Sequence, residues 1–223
     1  MKTFPNGSLK AVTFSYDDAA LADERLVALF NQYGLKATFN VNSGLSRRPE
    51  RTSLVPASRF GELYRGHELA VHTLTHPNLV DLPLEEARRE VAEDKAFLSS
   101  AAGYEVVGMA YPYGGFNEEI FRMLREEGIR YSRTTEGTGA FDLPKEPLRW
   151  KPTCHHNGIT EHVKRFLELE TDQPALLYIW GHSYEFDAHN DWDVMERACA
   201  ALAEHDEIWK ATNREVLDAV EGR

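Results

Sequence analysis

The sequence predicts an α/β fold in which a parallel sheet is ringed by helices in a barrel-like arrangement. The main observation is an alternation of short apolar segments with longer segments of helical periodicity, which is typical of βα units. The composition agrees, because 42% of the 223 residues are hydrophobic, which is enough for the core of a mid-sized domain. No repeat, low-complexity tract or linker divides the chain, so we expect one domain over residues 1–223.

The predicted strands are short runs of apolar and β-branched residues. The first begins at Val12 and ends abruptly at Asp17, and Pro112 stops the fourth. An extra extended segment is expected over Arg149–His155. In chain order the seven predicted strands are Val12–Tyr16, Lys36–Val41, Glu68–His72, Val106–Tyr111, Ile129–Thr134, Ala175–Trp180 and Ile208–Ala211.

The predicted helices follow these strands and carry recognisable end signals. Pro83 stands just ahead of the longest helix, where helix starts tolerate proline, and Gly128 follows the next helix at the usual C-terminal position. Asn213 is suited to cap the last helix. The stretch from Thr135 to Pro147 holds Gly and Pro and is expected to cross the strand ends as a loop. The helical segments are Leu21–Phe30, 57–65, Leu84–Ser100, Glu118–Glu127, Ile159–Glu170, Asp193–Ala203 and the residues after Asn213.

The charge and the cysteine content exclude several classes of protein. A formal charge of −11 and a pI near 5.3 argue against nucleic acid and anionic membranes as partners, because both favour clustered Lys and Arg. Cys154 and Cys199 are too few for a disulfide framework. Met1–Lys10 lacks the apolar core of a signal peptide, so we expect a cytoplasmic protein, with an exported form whose leader was removed as the alternative. The sequence does not indicate an oligomeric state.

Asp17 and Asp18 form the most informative pair of the chain. They end a buried strand, and the carboxyl ends of strands are where α/β folds bind ligands. One carboxylate can hold a metal ion while the other moves a proton. The alternative is that both merely cap the helix that follows.

Histidines follow two other predicted strands. His72 and His76 are four residues apart after the third strand, and they would share a face if a helical turn began there. His182 follows the late strand. Two imidazoles and one carboxylate can bind a divalent metal such as zinc and leave positions open for water and substrate, which is typical of catalytic sites. The alternative is that His72 and His76 are unrelated surface histidines and that His182 is a histidine of the core.

In these segments the sequence resembles the NodB-type polysaccharide deacetylases, carbohydrate esterase family four. The order and the spacing agree over nearly the whole chain, and the first, second and last segments are specific in combination. The matching segments are Phe14-Ser-Tyr-Asp-Asp18, His72-Thr-Leu-Thr-His76, Ala110-Tyr-Pro-Tyr-Gly114 and Leu177-Tyr-Ile-Trp-Gly-His182.

The resemblance implies a distorted (β/α) barrel of the NodB-homology type, with about seven parallel strands, and metal-dependent removal of an N- or O-acetyl group. It implies that Asp17 is the general base, that His182 is the general acid and that the backbone N–H of Tyr113 is the oxyanion donor. It also implies a metal, most readily zinc with cobalt or nickel as alternatives, on three ligands: Asp18, His72 and His76.

Two departures from the family pattern leave residues to be identified. The arginine that orients the base is replaced by Ala110, and Arg133 at the end of the fifth strand is our candidate substitute, the alternative being an ordinary surface arginine. The aromatic motif with its own aspartate has only Arg149–His156 as a stand-in.

The stand-in segment and the loop after the late strand supply candidate substrate contacts. Trp150 could form a wall of the acetyl pocket, and His155 or His156 could contact substrate or assist His182; a structural Trp and solvated histidines are the alternative. Tyr184 lies in a polar and aromatic segment that suits the rim of a sugar site, although any exposed loop can have this composition.

We therefore expect a metal-dependent hydrolase that deacetylates a sugar or polysaccharide through metal-activated water, with an Asp base and a His acid. The first alternative is a C–N hydrolase of a small non-sugar amide at the same site. The second is an inactive carbohydrate-binding module that retains the metal. Asp17 and His182 argue against the second, because a binding module needs neither a base nor an acid.

Overall fold

A computed structural model describes residues 2–5 and 7–223 of the chain. Within these residues the backbone forms one sheet of eight strands. The strands are β1 (Lys10–Asp17), β2 (Ala37–Val41), β3 (Glu68–Val71), β4 (Gly108–Ala110), β5 (Tyr131–Arg133), β6 (Cys154–His155), β7 (Ala175–Gly181) and β8 (Ile208–Lys210).

All strand pairs of the sheet are parallel, in the order β5-β4-β3-β2-β1-β7-β6, and β8 pairs with the start of β1. The sheet curls on itself because one segment reaches both of its ends. Trp150 bridges Arg133 of β5, and four residues later Cys154 pairs with Ile179 of β7. The expected distorted barrel of about seven parallel strands is confirmed, with β8 as a short addition at the base of β1.

Nine α-helices surround this sheet in the described part of the chain. The long predicted helices are present, although the segment predicted over 57–65 is a 3-10 turn followed by a single helical turn. The short helices α2 and α7 were not predicted, because four to six residues carry too little periodicity. The helices are α1 (Asp23–Gln32), α2 (Ser43–Ser46), α3 (Phe60–Leu63), α4 (Leu84–Ala102), α5 (Glu118–Glu126), α6 (Ile159–Leu167), α7 (Tyr184–His189), α8 (Trp192–Ala203) and α9 (Asn213–Glu221).

Strand β1 shows how the sequence separates the core from the interior of the barrel. Side chains alternate between the two faces of a strand. Phe14 and Tyr16 face the helices and belong to the main hydrophobic core. Ser15 and Asp17 face the interior, where they contact polar side chains of neighbouring strands. The alternation therefore carries a polar row up the inside of the barrel to the carboxyl end of β1.

A second, smaller apolar cluster fills the other part of the interior. It centres on Trp150, whose ring meets Tyr131 and Tyr178 edge-on at centroid distances of 5.5 and 5.1 Å. Such aromatic contacts stabilise a packed interior beyond the burial of their area. No helix of the described residues combines the length and the apolar character needed to cross a membrane.

Candidate active site

The candidate site lies at the carboxyl edge of the parallel sheet, where the ends of β1, β3, β4, β5 and β7 converge. Neither Asp17 nor Asp18 caps helix α1, which begins five residues later and takes no side-chain cap from either residue. Both carboxylates instead face the centre of the barrel mouth. The capping alternative is therefore wrong for this pair.

Three side chains from two loops form a potential metal site. Oδ1 of Asp18 lies 3.6 Å from Nε2 of His72 and 3.5 Å from Nε2 of His76. These separations are close to the edges of a tetrahedron whose centre is about 2.0–2.2 Å from each ligand, as for zinc. Nδ1 of His72 lies 2.8 Å from the carbonyl oxygen of Ala110, a partner that holds the ring proton on Nδ1 and leaves Nε2 free for a cation.

The protonation of the second histidine also fits metal binding. Burial, together with the neighbouring His72, lowers the pKa of His76. The neutral imidazole that a metal requires is therefore favoured. The residues present thus suit a divalent cation by donor type, spacing and protonation.

The two histidines do not share the face of a helix, as the i, i+4 spacing had suggested. The segment after β3 is an irregular loop, in which Thr73 and His76 have φ values of 67° and 61°. Left-handed backbone costs non-glycine residues about 1–3 kcal/mol each and is found at functional sites. Five of the six described non-glycine residues with positive φ lie in these motif loops: Asp18, Ala19, Thr73, His76 and Tyr113.

The loop that carries His72 is held by a buried carboxylate. Asp94 of α4 accepts hydrogen bonds from the backbone N–H of His72 (3.2 Å) and of Ser43 (2.9 Å). Asn42 donates from Nδ2 to the carbonyl of Thr73 at 3.1 Å. The sequence analysis identified neither Asp94 nor Asn42 as a positioning residue. The pattern of an amphipathic helix does not distinguish one buried Asp from the exposed acidic residues around it.

Asp17 is held beside this site without being one of the three potential ligands. Arg133 donates from Nη2 to its Oδ2, and Asn40 donates from Nδ2 to its Oδ1 at 2.8 Å. Burial alone would raise the pKa of Asp17, but the charges of Arg133, His72 and His182 and the hydrogen bond from Arg133 outweigh burial and lower the pKa to about 2. Asp17 is therefore an oriented carboxylate at neutral pH.

Arg133 occupies the place that the sequence motif leaves open. In the pairing of β4 with β5, Arg133 lies opposite Ala110, so its side chain enters the barrel where the small alanine leaves room. The guanidinium is fully buried, donates from Nε to Ser15 Oγ at 3.2 Å and lies 4.3 Å from the ring centroid of Trp180. Arg133 is therefore not a surface arginine.

His182 stands between the ligand set and a second acidic residue. Its Nε2 is 3.9 Å from Oδ2 of Asp18, and its Nδ1 is 3.3 Å from Oε1 of Glu185. The other oxygen of Glu185 lies 3.1 Å from Nε2 of His155 and 3.0 Å from Nε2 of His156. Glu185 was missed by sequence reasoning, and its only signal was a position three residues after His182.

Glu185, His155 and His156 are close enough together to hold a cation of their own. However, the N–H of Asn157 donates to Nδ1 of His155 at 3.3 Å, so a neutral ring carries its proton on Nε2 and cannot ligate through that atom. The carboxylate of Glu185 is also turned toward His182, because its other oxygen lies 3.3 Å from Nδ1 of that residue. We therefore assign this cluster to the positioning of His182.

Two of the expected substrate contacts lie elsewhere. Trp150 is 2% exposed and fills the barrel interior, so it does not form a wall of the acetyl pocket. His156 is also 2% exposed and is stacked on Phe186 at a centroid distance of 4.3 Å, so it does not reach the substrate side. Gly181 permits this packing, because a Cβ there would lie 2.1 Å from Nδ1 of His156.

The open side of the site is a cavity of about 430 Å³. Asp18 and His76 form its floor, and two exposed aromatic rings, Tyr113 and Tyr184, contribute to its walls. The ring of Tyr113 lies 4.7 Å from that of His76, and the ring of Tyr184 lies 5.2 Å from that of His182. Aromatic walls of this kind suit the apolar face of a sugar ring.

The loop that carries His182 is braced from below. Ser183 Oγ donates to Oδ1 of Asp23 at 2.5 Å, and the hydroxyl of Tyr64 donates to Oδ2 at 2.7 Å. Burial raises the pKa of Asp23 to about 7, against the lowering effect of these two hydrogen bonds.

Comparison with known proteins gives a consistent family. The family model described as "Polysaccharide deacetylase" matches residues 5–132, which is more than half of the chain. The chain is 26% identical over 121 residues to the peptidoglycan-N-acetylmuramic acid deacetylase PdaC of Bacillus subtilis; the match covers 54% of this chain and 25% of PdaC. The chain spans less than half the length of the first curated relatives that it matches.

Solved structures agree on the fold. A provisionally assigned polysaccharide deacetylase from Mycobacterium smegmatis superposes with a TM-score of 0.74 at 16% identity, over 99% of this chain and 93% of that one. A family 4 acetyl xylan esterase from Clostridium thermocellum, in complex with a cobalt ion, superposes with a TM-score of 0.64 at 15% identity, over 96% and 92% of the two chains. With its curled parallel sheet, its motif segments and the family match, this chain belongs to the polysaccharide deacetylase family.

Proposed function

We propose that this chain is a metal-dependent hydrolase that removes an acetyl group from an acetylated sugar or polysaccharide. The observation that carries the proposal is the convergence of Asp18, His72 and His76 on one point, with Asp17 anchored on one side and His182 on the other. The family match supports the reaction class. The three convergent residues would hold the metal, zinc being the first choice and cobalt or nickel the alternatives.

A divalent cation bound there would polarise the acetyl carbonyl and acidify a water molecule. Asp17 accepts the proton of the attacking water, and Arg133 and Asn40 hold its two oxygens so that it does not turn into a ligand. The backbone N–H of Tyr113 donates to the oxygen that becomes negative as water adds to the acetyl carbon.

His182 completes the reaction on the opposite side. It donates a proton to the nitrogen or oxygen of the leaving sugar as the bond to the acetyl carbon breaks, which yields acetate and the free amine or alcohol. Oε1 of Glu185, which lies 3.3 Å from Nδ1 of His182, orients the imidazole ring. A nearby carboxylate of this kind is the usual partner of an acid–base histidine.

The test is an acetate-release screen with zinc, cobalt or nickel supplied. The substrates are acetylated chitooligosaccharides, peptidoglycan fragments, acetylated xylan and simple amides. On each of them the parent protein is compared with an Asp17→Asn variant, which serves as the blank. Release from a sugar substrate by the parent protein alone supports the proposal. Release from the simple amides only would favour the C–N hydrolase alternative, and no release from any of them would favour a binding protein.

A further inference from the structure

The loop between α2 and α3 is clamped against both halves of the candidate metal site. Just before the loop, in α2, the N–H of Leu45 donates to the carbonyl of Leu74, between His72 and His76, at 3.0 Å. Within the loop, the N–H of Val55 donates to the carbonyl of Ala19 at 2.8 Å. Residues 47–54 are therefore held at a defined position beside the ligands.

Two arginines on this loop have free side chains. Arg48 and Arg51 are exposed, and neither side chain forms a hydrogen bond, an ion pair or a ring contact with any residue that the structure describes. Their backbones form a turn, in which the N–H of Arg51 donates to the carbonyl of Arg48 at 3.0 Å. By contrast, Arg59 nearby is paired with Glu24. A fixed backbone that presents free guanidinium groups is suited to binding an anionic ligand.

Arg51 connects the candidate site to a basic cavity. It lines the 430 Å³ cavity that holds Asp18 and His76, and it also lines an adjoining cavity of about 560 Å³. The described residues around that second cavity include no Asp or Glu, but they include four arginines: Arg47, Arg48, Arg51 and Arg59. Because only Arg59 of these four is paired with an acidic residue, three positive charges remain uncompensated there in a chain of net charge −11, and their local field attracts anions.

We propose that this basic cavity binds a carboxylate carried by the glycan, so that the preferred substrate is an acidic acetylated sugar chain, with Arg51 as the main contact. The inference deepens the proposed function and rests on it. Because Arg51 borders both cavities, the carboxylate belongs to the reacting sugar or to its neighbour. A guanidinium group can bind both oxygens of a carboxylate at once, which adds orientation as well as attraction.

The experiment compares two substrates that differ only at one carboxyl group, which is charged in the first and methylated in the second. One is a disaccharide of N-acetylglucosamine and N-acetylmuramic acid, and the other is the methyl ester of the same disaccharide. Acetate release is measured for the parent, for Arg51→Ala and Arg51→Lys, and for Arg65→Ala. Arg65 is a suitable control because it is also an exposed, unpaired arginine among the described residues, but it precedes β3 at the opposite edge of the sheet.

The parent is expected to favour the free acid by about tenfold in kcat/KM, the size of one charge-assisted hydrogen bond at an accessible site. Arg51→Ala abolishes this preference by weakening only the reaction of the acid, Arg51→Lys keeps part of it, and Arg65→Ala keeps all of it. Equal rates on acid and ester in the parent, or an equal loss in Arg65→Ala, would overturn the inference.

Calorimetric binding of the two disaccharides to metal-free protein separates the inference from the proposed function. Tighter binding of the acid that is lost in Arg51→Ala supports the basic subsite even if no acetate is released, and in that case it is the deacetylase proposal that fails. Equal binding of acid and ester overturns the subsite, whatever the activity.

Discussion

Arg133 donates a hydrogen bond to Asp17 from the position on β5 that pairs with Ala110 on β4. The guanidinium that the family resemblance led us to expect at position 110 therefore comes from the neighbouring strand. An alanine at 110 and an arginine at 133 are complementary, because the small side chain leaves the space that the large one enters. This exchange keeps a positive charge beside Asp17, the carboxylate that we propose as the base.

The first prediction concerns that pair. Arg133→Ala should lower kcat by about 100-fold, the size expected when a general base loses its support. Metal content should not change, since Arg133 touches none of the proposed ligands. Metal analysis and steady-state kinetics measure the two effects.

Removal of one partner from a buried ion pair also costs about 3–5 kcal/mol of stability, so the alanine variant needs checking by denaturant unfolding. Arg133→Lys retains the charge and should fold while still losing activity, because lysine cannot reproduce the three hydrogen bonds that the guanidinium donates to Asp17, Ser15 and the carbonyl of Thr134. The control is Arg130→Ala, since Arg130 lies just before β5 and is paired with Asp218 and Glu221, away from the site. Near-parental activity in both Arg133 variants would contradict the support of Asp17.

The second prediction concerns the metal ligands. The parent should bind about one divalent ion per chain, and His72→Ala, His76→Ala and Asp18→Asn should each lose most of it, because three ligands leave little affinity once one is removed. Elemental analysis after dialysis gives the stoichiometry. His189→Ala, an exposed histidine of α7, should keep its metal. Full metal occupancy in both His72→Ala and His76→Ala would exclude the proposed metal site.

The third prediction separates the two adjacent aspartates. Asp17→Asn should abolish turnover and retain the ion, since the amide cannot accept the proton but the three ligands are untouched. The measurement compares the metal content of Asp17→Asn with that of Asp18→Asn. If Asp17→Asn loses its metal instead, the two residues share the ligand role.

The fourth prediction concerns Glu185. Glu185→Gln should lower kcat by about tenfold with little change in KM, because the carboxylate contacts the proposed acid and not the cavity. Asp187→Asn, on the same helix, accepts a hydrogen bond from Trp192 and serves as the control. A change in KM alone would show that Glu185 acts on substrate binding and not through His182.

The fifth prediction is a pH dependence of stability. The pKa of Asp23 is raised to about 7 by burial, above the value near 3.8 of an exposed aspartate. Between these values the unfolded chain loses a proton that the folded chain keeps, so the free energy of unfolding should fall as the pH rises from about 4 to about 7. Asp23→Asn does not titrate, so the free energy of unfolding of the parent minus that of this variant, from urea melts, should increase as the pH falls from about 7 to about 4. A difference that does not vary with pH would contradict the raised pKa.

The sequence by itself determined the fold class and the motif residues of the mouth. Alternating strands and helices require a parallel sheet with covered faces, and parallel strands bring their carboxyl ends to one edge. Asp17, Asp18, His72 and His182 therefore had to lie near one another, wherever the individual helices ended. The position of Arg133 at the end of a strand was enough to make it a candidate for the same edge.

Tertiary structure alone decided which further side chains take part. Trp150 was predicted to form a wall of the acetyl pocket, but its ring fills the barrel interior, and it is the ring of Trp180 that lies over Arg133. The left-handed backbone at Thr73 and His76, which joins the two histidines without a helical turn, has no signature in the residue types. Glu185 lies near the site because of the short helix α7, and Arg51 because of the loop after α2. Such contacts between segments that are distant in the chain depend on packing, which residue periodicity does not encode.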